Sequence, residues 1–307
     1  MSESTGAAGK VKVLIYSLFD RVAATRFGRL ILIKTVEVFE TSLGAGNHDD
    51  DGDRTGENRL AGALCIVLPH VTALDVGANN GSWTLELRAR CLKSYVLAVE
   101  PGSQALGTIR SRVVSDPNVL VLPHALGNAD AEAKLWGTDS NLQASLLPVV
   151  LKRTTRLDAA SELPAETITV RTITSLIAEA SLSQIPLKEK PVNVVKIDIE
   201  GLEMDVLEQI TKWDGFAKIQ AIQFELHMHA IAQGHMIADF QNLLGPEFST
   251  YRLAARTLIP SEELSGALSN YYGFSNWVAL RNEIAPTVVR EYRHQSGRRL
   301  RPYEWRR

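Results

Sequence analysis

Three short apolar runs in this 307-residue chain each end in residues able to bind or to move protons. The first, L-D-V-G-A-N-N-G over residues 74–81, carries Asp75, Gly77, Ala78, Asn79 and Gly81 between a strand-like run and the opening of a helix. Glycines let a backbone approach a ligand closely, and a helix start offers N–H groups without intrahelical partners. The second, V-V-K-I-D-I-E-G-L-E-M-D over 194–205, delivers Asp198, Glu200 and Glu203 at the end of a β-branched strand. Open α/β sheets bind their ligands at such carboxyl ends. The third, I-Q-F-E-L-H-M-H over 222–229, sets Glu225, His227 and His229 at alternate positions, on one side of an extended chain.

The chemistry follows from the residue types. Asp75 ends an apolar strand, where an unpaired carboxylate is costly to bury, so it is expected to face a polar partner. A pyrophosphate would be repelled there. A cofactor with a cationic, amino-acid end would be attracted, which favours S-adenosylmethionine over a nicotinamide dinucleotide. Glu100-Pro101 closes the next strand about twenty residues after the glycines, where an acid binds ribose hydroxyls. Asp198 and Glu200 precede their helix and are candidates for the reacting end. Glu203 and Asp205 fall in a first helical turn, where acids also complement the macrodipole. His227, with an ordinary pKa near 6.5, is a candidate general base. Asp198, Glu200, Glu225 and His227 together have the ligand chemistry of a divalent metal site, and the spacing does not decide whether one forms.

These groups need a sheet to hold them. Strands are expected at Ala73–Val76, Ser94–Val99, Val119–Leu122, Val192–Ile197 and Ile219–Phe224. Further strand pairs or loops are expected around residues 133–147 and 166–172. T-Y-R-L-A-A-R and S-N-W-V-A-L-R form a closing hairpin. Alternation with helical segments from Leu60 onward argues an α/β fold with a seven-stranded, mostly parallel sheet and helices on both faces. Before it, Val11–Leu43 reads as a helical extension: either two helices docked on the domain, or a basic amphipathic surface that brings the enzyme to a membrane. Residues 44–57 read as an acidic, solvated linker, so the parts are 1–57, 58–283 and a basic C-terminal tail, 284–307. The tail, rich in Arg with Tyr292, Tyr303 and Trp305, reads as solvated or as a contact for anionic lipid or polysaccharide. A net charge of −2 gives no global case for nucleic acid. Cys65 and Cys91 lack metal or C-x-x-C spacing and are expected to be reduced core residues of a cytoplasmic protein.

L-D-V-G-A-N-N-G, V-E-P at 99–101 and V-K-I-D-I-E-G-L-E at 195–203 together resemble the FkbM family of S-adenosylmethionine-dependent methyltransferases, over about residues 60–282. The resemblance implies a class I Rossmann-like methyltransferase fold. It also implies O-methylation of a hydroxyl on a sugar, glycolipid, polysaccharide or polyketide-type product. Asp75, Gly77, Ala78, Asn79, Gly81, Glu100, Pro101 and Asp198 would hold the cofactor, with His124, Ala125 and Leu126 on its adenine side. Asn141–Leu146, with Ser145, is similar to a loop near the family's site. Asp198 and Glu200 would stand at the reacting end, with Asp198 or His227 as base. Where the family commonly has Thr-Leu-Asp, this chain has Thr172-Ile173-Thr174, and Thr174 is expected to cap a helix over 175–180. A nucleotide-cofactor oxidoreductase and a non-catalytic cofactor-binding protein are the alternatives. Expected partners are a small-molecule, glycan or glycolipid acceptor, with peripheral membrane contact through either terminus and no nucleic acid.

Overall fold

The computed structural model describes residues 7–45, 52–137, 165–199, 201–264, 270 and 274–295. Two helices lead, α1 (Ala7–Ala23) and α2 (Arg26–Ser42), followed by α3 (Gly52–Thr55) and α4 (Glu57–Val67). The chain then alternates β1 (Thr72–Val76), α5 (Ser82–Arg90), β2 (Tyr95–Val99), α6 (Ser103–Val113) and β3 (Val119–Leu122). A small group, β4 (Ala125–Leu126), β5 (Ala131–Trp136) and β6 (Ala165–Arg171), leads to α7 (Ile173–Ala180). The second half runs β7 (Val194–Ile197), α8 (Glu203–Lys212), β8 (Ala221–Leu226), α9 (Met228–Ala232), α10 (Ile237–Leu244), β9 (Phe248–Ala254), β10 (Thr257–Pro260), β11 (Ser275–Arg281) and α11 (Ala285–His294).

The main sheet has the order β10-β9-β11-β8-β7-β1-β2-β3. Neighbours from β3 through β8 are parallel, and β11 enters antiparallel between β8 and β9. This is the Rossmann-like methyltransferase order, reached with eight strands rather than seven. The extra one, β10, is a four-residue edge strand ending in Pro260, and proline is tolerated at an edge because no ladder N–H is needed there. The expected hairpin of β9 and β11 does pair antiparallel, Trp277 opposite Arg252, but β10 intervenes in the chain. Central strands are buried on both sides, as the β-branched runs require: all of β1 and β7 is inaccessible. One core layer joins Leu74, Val195, Phe224 and Trp277 under α7, α8 and α10, and the other joins Ala73, Leu87, Val278 and Val288 under α4, α5 and α11.

Four boundary expectations change. Residues 52–57 are not solvated linker: Thr55 is buried, and Gly56, at φ +87°, is pressed against the Tyr292 hydroxyl and Ala254 carbonyl. The tail begins later than 284, because α11 packs on α4 and the buried Tyr292 donates to Ala254 O at 2.7 Å. Cys65 and Cys91 are joined in a disulfide, not reduced. The end of α4 and the C-cap of α5 bring their Cα atoms to 5.6 Å, within disulfide range, which a 26-residue separation does not reveal. That removes the support which reduced cysteines lent to a cytoplasmic location. Finally, the helix after β6 starts two residues earlier than expected. Thr172, not Thr174, caps it by accepting from Ser175 N, and Asp130 reinforces the cap by accepting from Thr172 N and Ser175 Oγ. No described helix is long and apolar enough to cross a membrane.

Candidate active site

Strand order reverses between β1 and β7, so their carboxyl ends flank the crevice where such sheets bind ligands. From β1, Gly77 (φ +78°) turns the chain sharply, and its N–H and that of Ala78 both donate to Val99 O at 3.0 Å. A Cβ on Gly77 would lie 1.9 Å from Asp198 O, so glycine is required for β1 and β7 to end side by side. Asn79 follows in the left-handed region at φ 48°, a conformation that Asn tolerates better than most residues. Gly81, at φ +80°, then starts α5.

Glu100 ties this turn to the end of β2. Its Oε2 accepts from Asn79 N at 2.8 Å and its Oε1 from Gly102 N at 2.7 Å. Burial raises its pKa, while those two backbone donors pull it back. Each carboxylate oxygen keeps a further lone pair, so the group fits a hydroxyl-bearing ligand without losing either bond. Pro101 follows, half-buried.

Asp75 is placed differently from the sequence expectation. It is wholly buried, its Oδ2 accepts from Thr84 Oγ1 at 2.6 Å, and Lys196 Nζ lies 3.9 Å from Oδ1. Its polar partner is therefore a lysine of the neighbouring strand, not an open ligand site. Lys196 in turn holds Asp198 Oδ2 at 2.8 Å. Glu57, from the start of α4, completes the cluster: Thr55 Oγ1 donates to its Oε2 at 2.9 Å and Gln223 Nε2 to its Oε1 at 2.5 Å. Gln223 Oε1 accepts from Trp83 Nε1 at 3.3 Å. One ammonium among three carboxylates explains the titration. Burial opposes the charge of Lys196, but Asp198, Asp75 and Glu57 outweigh it and hold its pKa up. Burial raises Asp75 and Glu57, and a single shared lysine offsets this only partly.

Within the cluster Asp198 is the accessible group, its side chain 39% exposed where those of Lys196 and Asp75 are closed off. Glu200 lies outside the described residues, as do Asn141–Leu146 and Ser145. Glu203 is buried and structural: it accepts from Gly201 N at 3.0 Å and Ile199 N at 3.4 Å, holding the loop that follows Asp198. His124 sits at the β3 end with Nε2 2.9 Å from Glu179 Oε2, and Ala125 and Leu126 pair with Val170 and Arg171 in the small sheet. Among the described residues, no group of three or more His, Cys, Asp and Glu is arranged to hold a metal ion.

His227 is brought to the same edge but enclosed. Fully buried, it stacks on Phe274 at 5.1 Å, meets the His229 ring at 4.2 Å and has Glu225 Oε2 3.6 Å from Nε2. Burial, then His229, lowers its pKa to about 3 against the opposing charge of Asp198. Such a group is a weak base near neutrality. Its folded pKa lies below the unfolded value near 6.5, so the unfolded chain binds the proton first and stability falls as pH drops from about 6.5 toward 3. At pH 4.5 this amounts to about 2–3 kcal/mol. Urea denaturation at pH 7.5 and 4.5 should show the wild-type protein losing more stability on acidification than His227→Gln, by about that amount.

Residues 75–252, from Asp75 in β1 to Arg252 in β9, match the family model described as the methyltransferase FkbM domain. A relative, Methyltransferase 1 of Beauveria bassiana (strain ARSEF 2860), is 28% identical over 150 residues, covering 46% of this chain and 59% of that protein. The chain thus matches about three fifths of the relative's length. Among solved structures, it is similar to the O-methyltransferase from Bacillus cereus (13% identity, 87% of this chain and 97% of that one, TM-score 0.38). It is also similar to precorrin-6y C5,15-methyltransferase from Geobacter metallireducens GS-15 (12% identity, 73% and 87%, TM-score 0.36). At these scores the fold assignment rests on the strand order itself. With the family match over more than half of its length, the chain belongs to the FkbM methyltransferase family.

Proposed function

We propose that this protein is an S-adenosylmethionine-dependent O-methyltransferase acting on a hydroxyl of a sugar, glycolipid, polysaccharide or related natural product. The observation that carries the reading is the meeting of three strand ends at the switch point: the Gly77–Gly81 turn, Glu100 bonded to it, and the accessible Asp198 beside it. When bound, the cofactor would supply an electrophilic methyl on a sulfonium. Glu100 would hold ribose hydroxyls, and the turn would carry the amino-acid end, with Asp75 acting at one remove through Lys196. Asp198 is the candidate to take the acceptor's hydroxyl proton, because it is the exposed carboxylate of the cluster, whereas His227 is enclosed. Holding acceptor and donor in line supplies much of the rate of such a displacement.

The test is calorimetry with S-adenosylhomocysteine, followed by transfer of labelled methyl into fractionated cell extract. Binding with label in a glycolipid or polysaccharide fraction is the expected result. Label in protein or nucleic acid would overturn the acceptor class, and binding of NAD without binding of S-adenosylhomocysteine would overturn the whole reading in favour of an oxidoreductase.

A further inference from the structure

Helices α1 and α2 form a hairpin that adds no residue to the buried core; of their described residues, Gly28 alone is buried. The turn is built to hold the pair together. Thr25 caps α2 by accepting from Gly28 N at 2.9 Å, and Arg29 Nη1 closes the end of α1 by donating to Ala23 O at 3.0 Å and Ala24 O at 3.2 Å. A Cβ at Gly28 would fall 1.9 Å from Val22 O, so glycine sets the close crossing. Beyond the turn the apolar side chains stand in solvent: Phe27 is 75% exposed and Val38 64%.

We infer that this hairpin lies in the interface of an anionic lipid membrane, with the bilayer itself as the partner. At about 100° per residue, Phe27, Ile31, Leu32, Val36, Val38 and Phe39 fall within one half of the α2 circumference, and Arg26, Arg29, Lys34, Glu37 and Glu40 on the other, where Leu30 and Ile33 also stand exposed. In α1, Val11, Ile15, Leu18, Phe19 and Val22 share one face, with Asp20 and Arg21 off it. A broad apolar arc, with all the charged side chains gathered on the remaining half, is the pattern of a helix lying in a headgroup layer, whereas a helix pairing with a second copy uses a narrower stripe. Charge points the same way. Residues 7–43 hold six Lys and Arg against three Asp and Glu, in a chain whose total is −2. Arg21, Arg26 and Arg29 gather around the turn beside the most exposed phenylalanine, and each base near an anionic surface strengthens binding about fivefold. Neither helix is long and apolar enough to cross the bilayer, so the hairpin rests on one leaflet.

Flotation of the full chain with phosphatidylcholine vesicles, alone or containing phosphatidylserine, tests this. Binding is expected to the phosphatidylserine vesicles, weakening as salt rises. Arg21→Gln/Arg26→Gln should lower it roughly 25-fold, and Phe27→Glu/Ile31→Glu should abolish it. Both variants should keep the wild-type circular dichroism and melting temperature, since the altered side chains support no core. Failure to bind phosphatidylserine vesicles, or binding that both variants retain, would overturn the inference. A dimer seen by light scattering that dissociates in Phe27→Glu/Ile31→Glu, without vesicle binding by the wild type, would assign the face to a second copy instead.

Discussion

Lys196→Met should destabilise the protein by about 3–5 kcal/mol, the range for removing one partner of a buried ionic group. Among the described residues, Lys196 is the single cation beside Asp75, Asp198 and Glu57, and its stem lies in the fully buried strand β7. Methionine fills the volume of the stem but leaves Asp75 with Thr84 Oγ1 alone, at zero exposure. The penalty therefore comes mainly from the stranded carboxylate and not from lost packing. Adding Asp75→Asn to Lys196→Met should return a large share of the stability, a coupling that a double-mutant cycle in urea denaturation measures directly. If the two losses simply added, the lysine would be acting through its stem and not through its charge. Because the unprotected carboxylates would take up protons on folding, Lys196→Met should also be relatively less impaired below pH 5 than at pH 8.

The second large effect concerns turnover. Asp198→Asn should cut kcat by about 10²–10⁴-fold, the usual contribution of a positioned base, while leaving affinity for S-adenosylhomocysteine close to wild type. Asparagine keeps the shape and can still accept from Lys196 through its carbonyl oxygen, so the strand end is preserved and only basicity and charge are lost. His227→Gln should not reproduce this loss, since the imidazole is enclosed. A single-turnover assay separates the two variants: a rate for Asp198→Asn equal to wild type would remove Asp198 from proton transfer.

Much of the frame was readable from the chain because central parallel strands are continuous apolar runs that stop at polar residues. Thr72–Val76, Tyr95–Val99 and Val119–Leu122 fall within a residue of their expected limits. Edge and partner information was not readable. Four residues ending in proline give β10 no pattern, and nothing near Glu57 announces that Gln223, far along the chain, will meet it at a strand end. Asp75 shows the same limit: its burial was legible, but its partner sits on a strand more than a hundred residues later. For the cysteines, helix packing rather than spacing decides the pairing. The helical extension had two readings on sequence, and exposure of its apolar faces counts against docking on the domain.

The antiparallel insertion of β11 has a consequence for how the molecule comes into being. Strand β8 is paired on one side by β7, but its other partner is made some fifty residues later, and β9 likewise must wait for the same strand. A growing chain that has emerged only through Pro260 therefore carries two strand edges that β11 has yet to fill, on β8 and on β9, which invite each other or a neighbouring chain. Synthesis of Ser275–Arg281 closes both at once, inserting Trp277 against Arg252 with the guanidinium 5.0 Å from the ring centre. Assembly of this half of the sheet is thus a late, non-local event, and the slow step of folding is expected there rather than in the half formed by β1, β2 and β3.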